Sequence, residues 1–365
     1  MSTAHGMSWA KTKDWGRGTL LIAALMLLPS LAWAEDAAFA VAQLNDVGVG
    51  SGAVASEASL GAEADDDVLG AGKDWSVGLS TGVSVGIGSF VSDPYARRSR
   101  VRYRVGADAS YTIPTLDVSV GLATGFSQWL TEGGGSNTKQ EFRWTDTYLS
   151  FSRGIIEGYG MDLSAGLDFT LPTSAFSRAA RLYTTISPSL IFGGDIGPMR
   201  LSYQISYSHN FHGYTSMVFD ASEVDVLSRE TGSEAVAADA VAIDGVLTEM
   251  DLSHSFMVRL RLHKQVSLSV NFGFSDYWTY DNGSVTQDDA FTSPFARVGR
   301  GHGQSMNGGV RLSYQPWKYL SAALSMSSAQ PWKTDDNRSY RFPFIDFESP
   351  ANNFTNFGLS VMARY

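Results

Sequence analysis

The sequence predicts an all-β fold: a transmembrane antiparallel up-and-down β-barrel of about twelve strands, with short turns at one end and long loops at the other. Three observations predict it. From Trp75 onward apolar residues recur with a period of two rather than the helical period. The segments so marked are even in number, and the links between them alternate short and long. The final segment, Phe357 to Tyr365, keeps one apolar side and one small or polar side to its last residue.

The first strand, Trp75–Phe90, sets Val77, Leu79, Val83, Val85 and Ile87 against Ser76, Gly78, Ser80, Gly82, Ser84 and Gly86. The second, Arg100–Ile113, sets Val101, Tyr103, Val105, Ala107 and Tyr111 against Arg102, Arg104, Gly106, Asp108 and Ser110. The third runs over Leu116–Gln128. The fourth, Phe142–Arg153, is expected to carry a bulge near Asp146. The fifth, Met161–Leu171, opposes Leu163, Leu167 and Phe169 to Asp162, Ser164, Gly166 and Asp168. The sixth, Leu182–Phe192, contains Pro188, which weakens it locally because proline has no N–H to give a ladder. The seventh, Met199–His212, alternates Leu201, Tyr203, Ile205 and Tyr207 with Arg200, Ser202, Gln204 and Ser206. The eighth, Met250–Leu262, sets Phe256, Val258 and Leu260 against Arg259 and Arg261. Val266–Tyr280, Gln304–Tyr314, Tyr319–Ala329 and Phe354–Tyr365 complete the set.

Phe357, Leu359, Val361, Ala363 and Tyr365 form one side of the last strand, which stops on an aromatic residue. This resembles the C-terminal strand signature of Gram-negative outer-membrane β-barrels, and the resemblance implies that Phe357, Leu359, Val361 and Tyr365 are read by the barrel assembly machinery. It also implies outer-membrane lipid and lipopolysaccharide as neighbours. Short links such as Pro114-Thr115, His263–Gln265 and Gln315–Lys318 are then periplasmic, and long ones such as Gly213–Glu249 and Asp281–Gly303 extracellular. Aromatics near strand ends, among them Trp75, Trp144, Trp278, Tyr314, Tyr319 and Tyr365, fit girdles at the two interfaces.

Residues 1–34 read as a secretory signal: Lys11, Lys13 and Arg17, an apolar run from Leu20, then Ala32-Trp33-Ala34 with cleavage near Ala34. That run is too short for a spanning helix. Residues 35–73 carry eight acids (Glu35, Asp36, Asp46, Glu57, Glu63, Asp65, Asp66 and Asp67) against Lys73, with Phe39 as the one aromatic. Such a segment buries little, and is expected to be disordered in the periplasm. The barrel takes residues 74–365. With no cysteine, the chain has no covalent staple. A formal charge of −10 and the expected destination exclude nucleic acid as a partner.

Sorting by phase gives the lumen. Its walls are rich in Ser and Gly, and a barrel of this size leaves axial space, which suggests a water-filled pore. The alternative is that a loop or the Glu35–Lys73 segment plugs that space. The inward charges are Arg102, Arg104, Asp108, Asp117, Asp162, Asp168, Arg200, Arg259, Arg261, Arg311 and Arg364, with Arg143 toward the outer half. Arg200, Arg259, Arg261, Arg311 and Arg364, with Asp117 and Asp162, are expected to form a net basic ring near the periplasmic mouth. Arginine rings favour anions. Arg and Asp pairing across strands would cancel that preference, and both readings stand.

The acids of Gly213–Glu249 match no calcium-loop spacing, and nothing asks for a metal or cofactor. Arg297, Arg300 and His302 are candidates for lipopolysaccharide phosphates. His209, His212 and His254, with Ser208 or Ser253, are the one hint of a lipid hydrolase, but no nucleophile motif accompanies them. The layout is similar to twelve-stranded uptake channels for nucleosides or acidic sugars. The expectation is therefore a porin-like channel for passive diffusion of small hydrophilic solutes, anions among them, and not an enzyme. The alternative is a structural or surface-interaction barrel.

Overall fold

The computed structural model describes residues 74–90, 101–131, 142–174, 177–178, 180–220, 240–281, 299–334, 337–345 and 354–365. The signal and the acidic segment lie outside the described residues, as does Arg297. The strands are β1 (Trp75–Gly86), β2 (Val101–Ile113), β3 (Val118–Trp129), β4 (Phe142–Trp144), β5 (Thr147–Gly158), β6 (Met161–Leu171), β7 (Leu182–Ile196) and β8 (Met199–His212). They continue with β9 (Ser216–Asp220), β10 (Ala240–Val246), β11 (Thr248–His263), β12 (Val266–Asp281), β13 (Arg300–Trp317), β14 (Leu320–Pro331) and β15 (Thr355–Arg364).

Each strand of the main sheet pairs antiparallel with its neighbours in the chain. β15 pairs with β1, which closes the ring. β4 and β5 both pair with β3 and share one stave, so the barrel has twelve staves. This is the architecture expected from the period-two pattern. β9 and β10 form a separate hairpin within the stretch expected to be one long loop.

Closure works because the two faces of every strand differ. Leu79, Leu324 and Leu359 are 57%, 59% and 54% exposed on the outer face, and they pair with apolar neighbours row by row: Leu79 with Ala363 and Ala107, Leu359 with Val83 and Leu324. An antiparallel strand of period two puts all such residues on one side. An outward apolar face around a closed barrel is the arrangement a bilayer requires, since lipid offers backbone groups no partner.

The short turns lie together at one end, with the start of β1 and the end of β15. The turn between β5 and β6 is Tyr159-Gly160, with φ of 56° and 75°, the two positive values that a twist-matched two-residue hairpin takes. Asp117 lies in the turn between β2 and β3 with φ of 51°, so it belongs to the rim at this end and not to a strand wall.

The expected bulge near Asp146 is a full interruption between β4 and β5. The Asp146 carboxylate accepts from the Ser174 N–H at 2.8 Å and the Ser177 hydroxyl at 2.5 Å, which ties the β6–β7 link to the break. Pro188 sits inside β7 opposite Leu167, and the ladder from β7 to β8 skips Ser187 and Pro188. An aromatic group marks the short-turn end, where the Tyr365 ring lies 5.5 Å from Trp75 and 5.7 Å from Tyr319.

Candidate functional site: an arginine ramp in the lumen

Register places the inward arginines more definitely than phase does. Following Cα partners from strand to strand, Arg200 pairs with Arg259, Arg259 with Ser269, Ser269 with Arg311, and Arg311 with Ser325. The row continues through Gly358 and Ser84 to Arg102. The adjacent inward row begins at Arg261 and passes Ser267, Ser313, Ala323, Ser360 and Gly82 to Arg104, then Ser127 and Arg143. Seven arginines therefore lie on two neighbouring rows, and every residue between them is Ser, Gly or Ala.

These rows climb. Arg200 is the second residue of β8, which starts at the short-turn end. Arg102 is the second residue of β2, which starts at the long-loop end. Strands in a closed barrel are tilted and staggered, so a line perpendicular to them winds around the axis. The expected basic ring at one mouth is thus a ramp that rises from one mouth to the other. At its upper end, Arg102 donates from Nη2 to the Ser127 hydroxyl at 2.9 Å, and Ser127, almost fully buried, sits between Arg104 and Arg143 on their shared row.

Arg364, expected in the same ring, lies off the ramp. Its Nη2 is 3.2 Å from Asp108 Oδ2, across the strand between them. The intervening residue is Gly78, which faces both partners in register. A Cβ at Gly78 would stand 2.4 Å from Asp108 Oδ1. The arrangement recurs at Asp162. Arg200 Nη2 reaches Asp162 at 3.0 Å, while Asp162 leans over Gly193, whose Cβ would lie 2.4 Å from Asp162 Oδ1. Arg200 also meets Asp195 at 3.3 Å. Arg364 and Arg200 thus pair with acids across the strands, while the register partners along the rows from Arg259 and Arg261 up to Arg102 and Arg143 are Ser, Gly, Ala or Arg.

Asp168 lies on another row, beside Ser150 and Ser187, and the Ser187 and Ser208 hydroxyls are 2.9 Å apart. Ser208 faces Asp251, an inward carboxylate missing from the expected set. Its phase, shared with Arg259 and Arg261, was the signal that would have found it. The further hydroxyl contacts Ser206–Ser253 at 2.6 Å and Ser275–Ser305 at 2.8 Å make this wall polar without basic charge.

Among the described residues the histidines do not assemble around a nucleophile. His254 Nδ1 is 2.8 Å from the Tyr203 hydroxyl, His209 Nδ1 is 3.3 Å from that of Tyr207, and His212 contacts Tyr280. Ser208 and Ser253 bond other serines instead. Arg300 pairs with Glu249 at 2.5 Å, and His302 Nε2 with Asp276 at 3.0 Å. On the outer face, Pro343 crosses β13 where Gly308 leaves room, and the side-chain amide of Gln330 donates to the Phe342 carbonyl beneath it.

No protein-family model matches the chain, and no curated protein sequence matches it. Solved structures share the architecture. An outer-membrane channel from Pseudomonas putida F1 aligns at 9% identity over 82% of this chain and 99% of that one, with a TM-score of 0.48. The NanC porin aligns at 8% identity over 78% and 97%, with a TM-score of 0.40. The translocator domain of the autotransporter NalP from Neisseria meningitidis aligns at 12% identity over 87% and 98%, with a TM-score of 0.36. These proteins are what the chain is similar to, and its closed antiparallel barrel of twelve staves is read from the strand pairing itself.

Proposed function

We propose that this barrel is a passive channel for small hydrophilic solutes and that it prefers anions. The observation that carries this is the arginine ramp: two rows that join Arg259, Arg261 and Arg311 toward one mouth with Arg102, Arg104 and Arg143 toward the other, across a floor of Ser, Gly and Ala. Small inward residues leave the axis open for water, and arginines along a wall stabilise an anion at successive positions without one deep well. The same reading takes the short turns as periplasmic, the long loops as extracellular, and the mature chain as starting after Ala34. β15 then carries the strand that the assembly machinery reads, through Phe357, Leu359, Val361 and Tyr365. The outer face meets lipid and lipopolysaccharide.

Planar-bilayer conductance of the refolded barrel in a salt gradient tests the reading. Steady conductance with a reversal potential on the anion side is expected. A silent barrel, or one that prefers cations, overturns it. A surface-interaction barrel is the second reading. It draws on Tyr340 and Phe342, which are 70% and 52% exposed beyond the end of β14.

A further inference from the structure

We infer that a second wall of the lumen, separate from the arginine rows, is a lane for uncharged polyhydroxylated solutes, that is, polyols and neutral saccharides, with Asp168, Asp251 and Tyr277 as its recognition groups. The inference rests on the channel reading and names a solute class for it. Three observations support it.

The first is a band of hydroxyls. One inward row runs from Ser152 over Gly166 to Ser189, Ser206, Ser253, Ser275 and Ser305. Ser189 leans across Gly166, where a Cβ would lie 2.6 Å from its Oγ, so the gap in the row is narrowed. The row above joins Ser150, Asp168, Ser187, Ser208, Asp251 and Tyr277. No Lys, Arg or His stands on this stretch of either row. A hydroxyl both donates and accepts, so each serine can exchange its serine partner for a solute hydroxyl. Neighbouring strands repeat the offer about every 4.8 Å, which passes a solute on without one deep well.

The second is the placing of the two carboxyl groups. Asp168 stands between Ser150 and Ser187, and Asp251 between Ser208 and Tyr277. The Ser275 hydroxyl bonds Asp251 from the row below. Both acids are half-buried in the inward face. The two oxygens of a carboxylate accept from two adjacent hydroxyls of one solute at once, and an ether has no such pair to give.

The third is Tyr277. It is 9% exposed, and among the described residues its hydroxyl has no hydrogen-bond partner. It pairs in register with Asp251, and its ring lies over Gly303, which has no side chain to obstruct it. The hydroxyl therefore sits at the upper end of the band, on the inward side of β13 just above Ser305. A buried hydroxyl left unpaired is costly. A solute hydroxyl held at Asp251 supplies the missing partner.

Proteoliposome swelling with the refolded full mature chain tests the lane. Mannitol is compared with tetraethylene glycol, which is of similar size but carries hydroxyls only at its ends. Native barrel, Tyr277→Phe and Asp251→Ala are measured side by side, with reversal potentials in potassium chloride. Mannitol is expected to enter the native barrel about threefold faster than the ether, and either substitution should bring it down to the ether's rate. Tyr277→Phe removes a hydroxyl that bonds nothing in the protein, so the ether's rate and the reversal potential should stay as they are, which a structural loss would not allow. Equal rates for the two solutes in a conducting native barrel, or variants that admit mannitol as the native does, overturn the lane and leave the channel reading standing. A barrel that admits neither solute and passes no current overturns the channel reading and the lane with it.

Discussion

Arg364 and Asp108 form an ion pair at 3.2 Å although a whole strand separates them, because Gly78 on that strand presents no side chain between them. The pair therefore ties β15 to β2 across the seam at which the first and last strands meet. Gly78→Ala is expected to break it, since a methyl would stand 2.4 Å from Asp108 Oδ1. The loss should be about 1–3 kcal/mol, the usual cost of stranding a partly buried charge-assisted bond. Urea unfolding of the refolded barrel in detergent, followed by tryptophan fluorescence, measures it.

Arg259 and Arg311 share a ramp row with Ser269 between them. Replacing either with Ala should lower the anion-to-cation permeability ratio by about twofold, and replacing both should lower it further. Arg364→Ala, off the ramp, should shift the ratio less. Reversal potentials in a potassium chloride gradient report all three.

Salt should weaken the preference. The screening length falls from about 10 Å at 0.1 M to about 3 Å at 1 M. An anion in a wide lumen then feels only the nearest arginine, and the permeability ratio should approach that of the bare ions. Reversal potentials at fixed gradient and rising mean concentration check this.

Ser84 and Gly358 are paired neighbours at the middle of the upper ramp. Gly358→Trp would fill the floor there, and a Cβ at that position already meets the Ser325 hydroxyl at 2.7 Å. Single-channel conductance should fall severalfold while the outer apolar face, and so insertion, is untouched. Liposome swelling with uncharged sugars of increasing size would show the narrowing directly.

Gly308 lies under the Pro343 carbonyl, which a Cβ would approach to 2.6 Å. Gly308→Val should lift the 342–344 segment from the outer face of β13 and destabilise the barrel by about 1–3 kcal/mol, as overpacking does. Thermal unfolding by circular dichroism measures the effect.

Twelve staves and their two faces were legible in the sequence because alternation is a local property. Leu79 beside Gly78, or Val105 beside Arg104, declares its side without reference to any other strand. The height of a residue on the wall is a different matter. Counting from the nearest turn put Arg259, Arg311 and Arg364 in one ring, but stagger between strands decides which residues are neighbours. That stagger joins Arg311 to Arg102 through Ser325, Gly358 and Ser84, and sends Arg364 to Asp108. No periodicity in one strand carries it. The break at Asp146 was half legible, since the phase falters there, but its two serine partners sit across a turn of chain that no pattern connects. The 342–344 segment was not legible at all, because Phe342 and Phe344 resemble ordinary loop aromatics until Gly308 is seen beneath them.

The seam between β1 and β15 fixes more than closure. Backbone bonds at 3.0 and 2.9 Å join Val77 to Tyr365, and the Trp75 and Tyr365 rings meet beside them. These contacts choose one alignment of the first strand against the last. If β15 slid by two residues, every side chain would keep its side of the wall, yet Ser84 would face Ser360, and the row from Arg261 would arrive at Arg102 instead of Arg104. The thread of the basic path is therefore cut by the pairing of the first strand with the last, in the way a strip of paper sets the pitch of a printed line by where its two edges are glued.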